Sequence, residues 1–342
     1  MIKKLEEVQK DLNELRNNGI QRGSDIGWSF DNLPITFKPA STTYIGAAPH
    51  VGKTEFILEI LINLSCRHGW KHLIFSPETG TPTEIYAELL SKYIGKDFIQ
   101  GEYAMTQMER AEAEVFIAEH FYIIDPVDED LTIDDFYRLA DEWEINEGIK
   151  FNTALIDPWN ELTETFIPED LGREDKYLSR VLRDFRRNAR RTKRHNIIIN
   201  HVRDQAVQKL DNGAFYFPMP SPRDMAGGQT WYKKGMLLIM LWRPPLGWQN
   251  PTNGVETILD NELIVKVAKS KPKGVSVNGV YKMYFDFKKK QYYQLVNDKQ
   301  VYADRGHHNN REVSVQVPRE SLSLNSRRNE NFYEVDKEDM PF

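Results

Sequence analysis

Residues 46–54 constrain this chain more than any other stretch. We interpret them as a phosphate-binding loop of the type Gly-x-x-x-x-Gly-Lys-Thr, with Gly46 as its first glycine and Gly52 as its second. The loop residues are Gly46, Ala47, Ala48, Pro49, His50, Val51, Gly52, Lys53 and Thr54. Residues 42–45 before the loop are typical of a short buried strand, and the apolar residues 56–62 after it predict a helix. This order of strand, loop and helix favours a phosphate loop over a simple glycine-rich turn.

The residue types of the loop predict its chemistry. Gly46 and Gly52 allow backbone N–H groups to turn inward toward phosphate oxygens, and the start of the following helix adds a positive dipole. Lys53 is long enough to reach the β- and γ-phosphates, and the Thr54 hydroxyl can hold Mg²⁺. The sequence therefore predicts ATP, or another nucleoside triphosphate, together with Mg²⁺ as the ligands of this loop.

Composition narrows the class of protein. The 342 residues carry a net charge of −6, which excludes a wholly basic nucleic-acid binder but leaves room for a local basic patch. Cys66 is the only cysteine, so we expect neither an internal disulfide nor a cysteine zinc cluster. No stretch reaches 18 continuous apolar residues, and the amino terminus is charged rather than signal-like. These features predict a soluble cytoplasmic protein that does not bind or span a membrane.

Apolar strands alternate with helices between residues 43 and 242, which predicts an α/β fold with a mostly parallel sheet and helices on both faces. The predicted strands cover 42–45, 71–76, 121–125, 153–157, 196–200 and 236–242, and the predicted helices cover 56–62, 83–93, 106–119, 134–144 and 174–191. Period-two patterns in residues 257–295 predict antiparallel strands at the sheet edge. We place this domain at residues 23–300 and interpret the polar residues 301–342 as a disordered tail.

Residues 1–22 form a separate unit in this interpretation. Leu5, Val8, Leu12 and Leu15 are spaced 3-4-3 with charged residues between them, which predicts one amphipathic linker helix. The narrow apolar stripe can pack on the helix's own domain or dock on a neighbouring subunit. The sequence leaves both alternatives open.

Three polar residues follow buried strands and are candidates for chemistry on the nucleotide. Asp157 ends an apolar strand, the position at which a Walker B aspartate holds Mg²⁺. Glu78 and His201 follow two other predicted strands. Because the carboxyl ends of parallel strands meet at one edge of a sheet, we expect these side chains to converge on the loop. The alternatives are that Asp157 is a turn aspartate, Glu78 a solvated loop glutamate and His201 a structural histidine.

Five segments together carry a family resemblance. They are the phosphate loop, Ser76-Pro77-Glu78-Thr79, Ile156-Asp157-Pro158-Trp159-Asn160, Ile199-Asn200-His201 and Asp224-Met225-Ala226-Gly227-Gly228. In order and spacing they resemble the RecA-fold hexameric replicative helicases of the DnaB-like superfamily, above all the Twinkle-like and phage primase-helicase branch. The resemblance runs from about residue 25 to 295. It implies a RecA-like P-loop NTPase core and a hexamer in which a linker helix swaps onto the adjacent subunit. It also implies a protein that works in the cytoplasm of a bacterial or phage-infected cell.

The resemblance also implies roles for single residues. Glu78 would polarise the attacking water, Asp157 would hold Mg²⁺, and His201 would sense the γ-phosphate. The segment implied to reach the ATP of the next subunit includes Lys269 and Lys271. The family has an arginine where Lys271 stands, and a lysine lacks its planar fork.

Further implied contacts lie elsewhere in the chain. Arg243 resembles a family arginine near the next subunit's ATP. The implied contacts with single-stranded DNA come from loops that face a central channel and include Arg203, Lys209, Gly227 and Gly228. We interpret the basic helix 183–194 as a solvated face, and we slightly favour this interpretation over a contact with DNA.

The last residues, 334–342, resemble the acidic tip of bacterial single-stranded-DNA-binding proteins. The tip combines an acidic run with a terminal carboxylate and the Phe342 ring after Pro341, a pattern suited to a basic-rimmed apolar pocket. We expect it to dock on a replisome partner such as a primase or a polymerase.

Three functions remain open at this point. The first is an ATP-driven hexameric replicative DNA helicase that translocates on one strand. The second is a RecA-like or KaiC-like DNA-dependent ATPase that acts as a recombination mediator or helicase loader without unwinding. The third is a nucleotide-dependent assembly protein that does not hydrolyse ATP, which the lysine at position 271 keeps open.

Overall fold

The structure is a computed structural model that describes residues 2–28, 33–125, 131–203, 205–250, 254, 256–271 and 274–308. Its strands are β1 (Ser24–Asp25), β2 (Thr36–Phe37), β3 (Thr42–Ala47), β4 (His72–Phe75), β5 (Phe121–Ile123), β6 (Thr153–Ile156), β7 (His195–His201), β8 (Gln208–Lys209), β9 (Phe215–Tyr216), β10 (Leu237–Trp242), β11 (Glu262–Ser270), β12 (Gly279–Asp286), β13 (Gln291–Val296) and β14 (Lys299–Tyr302). Its α-helices are α1 (Gln9–Asn18), α2 (Lys53–His68), α3 (Pro82–Ile94), α4 (Gln107–His120), α5 (Ile133–Glu147), α6 (Glu174–Thr192) and α7 (Gln229–Lys234).

One large sheet organises the described part of the chain. Its ten strands lie in the order β14-β13-β12-β11-β10-β3-β7-β6-β4-β5. The strands from β10 to β5 run parallel, and β11 to β14 extend the sheet by antiparallel pairing. The predicted fold, a mostly parallel sheet with antiparallel strands at one edge, is confirmed.

The strands alternate their side chains between two apolar layers. Helices α2, α3 and α4 cover one face and share a core with Ile45, Ile74 and Ile197. Helices α5, α6 and α7 cover the other face, where Tyr44 and Ile198 point into a second core. Helices on both faces follow from strands that are apolar on both sides.

Threonine caps fix where three of these helices begin. The hydroxyls of Thr81, Thr106 and Thr132 each accept a hydrogen bond from the backbone N–H three residues further on. In each case the acidic side chain at that position returns a bond to the threonine N–H, which completes a capping box. The helices that flank β4 and β5 therefore start at positions set by the local sequence.

The amino-terminal helix leaves its apolar stripe in solvent. A 3-10 turn at Leu5–Val8 leads into α1, which ends at Gly19, and neither segment has a buried residue. The exposed fractions are 68% for Leu5, 39% for Leu12 and 50% for Leu15. Val8 is partly buried and the three leucines are exposed, so within the described residues most of the stripe is left free for a neighbouring subunit.

The carboxyl-terminal boundary needs a correction. We expected a disordered tail from residue 301, but Val301 and Tyr302 end strand β14, and Arg305 is buried. Its guanidinium donates to the Asn63 side chain and to the carbonyl of Lys92 at 2.7 and 3.0 Å. Residues 309–342, which hold the rest of the expected tail, lie outside the described residues.

The basic run in α6 is mostly a solvated and ion-paired face. Arg191, exposed on α6, binds Asp141 at 2.7 Å. Arg194 follows the helix and is fully buried, where it binds Asp141 at 2.7 Å and Glu144 at 2.9 Å. Arg187 pairs with Asp184 on the same helix. This arrangement supports the interpretation of the run as a solvated face, which the sequence slightly favoured over a DNA contact.

None of the described helices is long and apolar enough to cross a membrane.

Candidate nucleotide-binding site

The loop between β3 and α2 has the backbone of a phosphate cradle. Gly52 is the N-cap of α2 and lies in the left-handed region at φ 86°, which a glycine adopts without strain. His50 is also left-handed, at φ 59°. Helix α2 then begins at Lys53, so its free N–H groups face the loop.

The assignment of Gly46 as the first glycine of the motif is wrong. Five residues separate Gly46 from Gly52, one more than the pattern allows, so Ala47 occupies its first position. Gly46 lies within β3, paired with Asn200 and Met240. A Cβ atom there would lie 2.5 Å from the end of the Met240 side chain and 2.9 Å from Met225 Cγ, so both methionines would have to move.

Thr54 and Asp157 form the centre of the site. The Thr54 hydroxyl donates to Oδ2 of Asp157 at 2.6 Å, and the Ser76 hydroxyl lies 3.4 Å from the same oxygen. Asp157 follows β6 and is 1% exposed, and burial raises its pKa while the Thr54 hydrogen bond lowers it. Its second oxygen, Oδ1, is buried and has no hydrogen-bond partner within the described part of the chain.

Lys53, Glu78 and His201 form a second group at the same edge. Lys53 Nζ lies 3.3 Å from His201 Nδ1 and 3.9 Å from Glu78 Oε2. His201 Nε2 lies 2.9 Å from Glu78 Oε2. Lys53 Nζ also lies 3.4 Å from His201 Nε2, so the ammonium is about equally close to both ring nitrogens.

These groups line one cleft of about 240 Å³ at the carboxyl edge of the parallel strands. Its walls are Pro49, His50, Lys53, Thr54, Glu78, Thr79, Asp157 and His201. The register explains the convergence, because Ala47 pairs with His201 and Phe75 pairs with Ile156 across adjacent strands. The structure thus brings together the loop, the aspartate, the glutamate and the histidine that the sequence singled out.

Arg243 lies beside the phosphate loop of its own chain. Its Nη2 would be 3.6 Å from a Cβ atom at Gly52, and the expected contact with the ATP of the next subunit stays a prediction. The cause is the pairing of β10 with β3, which ends both strands at the same edge. Arg243 Nε is buried without a hydrogen-bond partner in the described part of the chain.

Tyr292 is a neighbour of the loop that the sequence did not reveal. Its hydroxyl donates to the Gly52 carbonyl at 3.3 Å, and its ring packs edge-on against Phe56 of α2. Tyr292 lies on β13, about 240 residues further along the chain. No local pattern could have signalled this contact, which depends on how the antiparallel strands fold back.

Lys269 and Lys271 lie at the amino ends of the parallel strands, opposite the end that carries the phosphate loop. Lys269 pairs with Leu238 near the start of β10, and the backbone N–H of Lys271 donates to the Met236 carbonyl at 2.9 Å. The phosphate loop is on the order of 15 Å away along the strands. The Lys269 ammonium donates to the Tyr232 carbonyl and lies over its ring at 4.8 Å. Neither lysine therefore belongs to the nucleotide site of its own chain.

The four residues expected to contact DNA fall into two groups. Arg203 Nη2 donates to the Arg223 carbonyl at 3.1 Å and lies beside Gly228. A Cβ atom at Gly227, at φ 85°, would overlap Leu178, so this glycine is needed for packing. Lys209 lies apart on the exposed hairpin of β8 and β9.

Hydrogen bonds join the Asp157 segment to the Gly227 loop. The Trp159 indole donates to the Asn200 side chain at 3.0 Å, and Asn200 donates in turn to the Ala226 carbonyl at 3.0 Å. The Trp231 indole donates to the same carbonyl. Trp159, Asn200 and Ala226 stood in the recognised motifs and Trp231 did not, and the contacts among them could not be read from the sequence. Pro341 and Phe342 lie outside the described residues.

The order of the strands and the position of the loop before α2 are those of a RecA-like fold. No family model matches the chain. It is 28% identical over 226 residues to the Twinkle homolog protein, chloroplastic/mitochondrial, of Arabidopsis thaliana, a match that covers 64% of this chain and 30% of the relative. The chain thus spans less than a third of that relative's length.

Two solved structures share the fold. A DnaB-like replicative helicase, solved to describe its interactions with primase, superposes with a TM-score of 0.64 at 18% identity, covering 85% of this chain and 68% of the other. A second structure, which consists of an ATPase domain, gives a TM-score of 0.61 at 16% identity, covering 85% of this chain and 99% of that domain. The resemblance to DnaB-like and Twinkle-like proteins predicted from the motifs is confirmed.

Proposed function

We propose that this chain is the motor module of an ATP-dependent replicative DNA helicase, which works as a ring of subunits on single-stranded DNA. One observation carries the proposal: Lys53, Thr54, Glu78, Asp157 and His201 converge at one sheet edge beside a phosphate cradle. The named relative and the two structural neighbours support it, because they are a Twinkle homolog, a DnaB-like replicative helicase and an ATPase domain.

The residues present fit a magnesium nucleotide. Asp157 Oδ1 is a buried carboxylate oxygen without a hydrogen-bond partner in the described residues, next to the hydroxyl of Thr54. Hydroxyl and carboxylate oxygens are the ligands that Mg²⁺ prefers. Thr54 and Asp157 would hold Mg²⁺, which when bound neutralises charge on the phosphates.

The other side chains supply positioning and proton transfer. Lys53 and the N–H groups at the start of α2 bind phosphate oxygens. Glu78 orients the water that attacks the γ-phosphorus and takes its proton, while the bond to the β–γ bridging oxygen breaks. A phosphate that engages Lys53 competes with Glu78 and His201 for it, because all three groups lie within 3.9 Å of each other. Their rearrangement gives the histidine a means of sensing the γ-phosphate.

The proposed ring rests on two features of the chain. The stripe of α1 is exposed on its own domain, which suits docking on a neighbouring subunit. Lys269 and Lys271 lie away from their own loop, so they can act on ATP only from an adjacent subunit. A hexamer is the assembly that we propose, with Pro341 and Phe342 as a docking tip for a replisome partner.

ATP hydrolysis with and without oligo(dT) tests the proposal. We expect hydrolysis that single-stranded DNA stimulates, and a Glu78→Gln variant that still binds ATP but turns over about 10²- to 10⁴-fold more slowly. Glu119→Gln changes an exposed glutamate of α4 and is the matched control with unchanged rate. DNA-stimulated hydrolysis without fork unwinding would instead support a mediator or loader. ATP binding without hydrolysis would support an assembly protein.

A further inference from the structure

The hairpin of β8 and β9 projects two aromatic rings into solvent. Lys209 pairs with Phe215 across its two short strands, and the turn is closed by a hydrogen bond from the Leu210 N–H to the Ala214 carbonyl at 2.8 Å. Phe215 is 63% exposed and Phe217 is 48% exposed. Neither ring stacks on another aromatic ring within the described part of the chain.

A cation accompanies the more exposed ring. The Lys209 ammonium lies 5.5 Å from the centroid of the Phe215 ring, and Lys209 itself is exposed. The ammonium lies over one face of the ring, so the opposite face is the one on which a base could stack. Asp211, in the turn, is the only acidic residue between positions 205 and 217. The exposed side of the hairpin therefore offers a flat apolar face beside a positive charge.

The base of the hairpin is fixed to the core of the sheet. The Trp242 indole, 3% exposed, donates to the Phe217 carbonyl at 2.8 Å. The ring of Tyr216 lies 6.5 Å from that of Trp242, which ends β10. The next residue is Arg243, which lies beside the phosphate loop. The aromatic face is thus carried by a short, anchored element that starts at the nucleotide edge of the sheet.

We propose that this hairpin is a base-stacking platform for single-stranded DNA, with a base on the Phe215 ring and the neighbouring phosphate on Lys209. Stacking needs an unpaired base with a free face, and the adjacent cation matches the charge of the backbone. A protein partner would also accept an exposed phenylalanine, but a lone ring held next to a lysine fits an alternation of base and phosphate better. This inference rests on the proposed function and adds a base contact to it.

The experiment compares two DNA ligands of equal charge. The full chain is assembled with a non-hydrolysable ATP analogue and titrated with fluorescent oligo(dT) or with an abasic strand of the same number of phosphates. We expect Phe215→Ala to weaken oligo(dT) binding about tenfold or more and to leave abasic binding unchanged. Lys209→Ala should weaken both and reduce the salt dependence of binding. Phe287→Ala removes a ring that is 55% exposed elsewhere and is the matched control.

A rescue variant excludes a purely structural effect. Phe215→Trp should restore oligo(dT) affinity, because tryptophan keeps the aromatic face. Equal losses for both ligands, or no loss with Phe215→Ala, would overturn the platform, and the latter would leave the hairpin as a protein contact. If the wild-type chain binds neither ligand and hydrolyses no ATP, the proposed function fails as well. The two failures are therefore distinguishable.

Discussion

The exposed stripe of the amino-terminal helix gives the sharpest quantitative prediction. Leu5, Leu12 and Leu15 expose 68%, 39% and 50% of their surface, so none is held by its own domain. Replacing all three by glutamine keeps helix propensity and charge while removing the apolar side chains. We expect the free energy of unfolding of the domain to change by less than about 0.5 kcal/mol.

Assembly should respond very differently. Full burial of a leucine side chain is worth about 1.5–3 kcal/mol. Scaled by the exposed fractions, the stripe can contribute about 2–5 kcal/mol at each contact with a neighbouring subunit. Loss of that contribution raises the concentration needed for assembly by about 30-fold or more.

Mass photometry over a concentration series, with thermal unfolding in parallel, measures both effects. A double variant with Val115→Gln and Ile145→Gln is the control, because these side chains are 74% and 77% exposed on other helices. The reasoning is refuted if the leucine variant assembles at the wild-type concentration. It is also refuted if the domain loses several kcal/mol of stability, since the stripe would then pack on its own chain.

Three further predictions concern stability and nucleotide affinity. Burial lowers the pKa of His195 to about 4 in the folded chain, whereas the unfolded chain binds a proton at this histidine below about pH 6.5. The folded state therefore loses stability as the pH falls from 7.5 to 5.0. His195→Asn should reduce that loss by about 2 kcal/mol in urea titrations. Tyr292→Phe removes the bond to the Gly52 carbonyl and should raise the Kd for ATP about two- to tenfold in calorimetry. Gly227→Ala should destabilise the fold by about 1–3 kcal/mol, whereas Gly101→Ala, with open space around it, should not.

Each of these has a clear contrary outcome. An unchanged pH profile in the His195 variant would show that the pKa of this histidine is the same in the folded and the unfolded chain. ATP affinity at the wild-type value after Tyr292→Phe would remove the tyrosine from the support of the loop. If Gly227→Ala folds with full stability and loses only DNA affinity, the glycine serves the DNA contact rather than packing.

Much of the fold could be predicted because its strands are apolar on both sides. The runs that became β3, β6, β7 and β10 are short, rich in branched residues and bounded by polar or glycine-containing turns, so local pattern and final structure agree. The site followed from the same regularity, because parallel strands bring Glu78, Asp157 and His201 to one edge.

What could not be predicted depends on contacts between distant segments. Arg305 looks like part of a polar tail, and its burial depends on acceptors supplied by helices α2 and α3. Arg243 reaches its own loop because β10 pairs beside β3, and the chain order gives no hint of that neighbour. Gly46, by contrast, could have been excluded from the sequence alone, because five residues rather than four separate it from Gly52.

Unwinding of a 5′-tailed DNA fork tests the proposed motor most directly. With ATP and Mg²⁺, the wild-type chain should form a ring and separate the strands, while Glu78→Gln should assemble and bind the fork without separating it. Glu119→Gln should unwind at the wild-type rate. A wild-type chain that forms no ring and unwinds nothing, even with candidate replisome partners added, would contradict the helicase function.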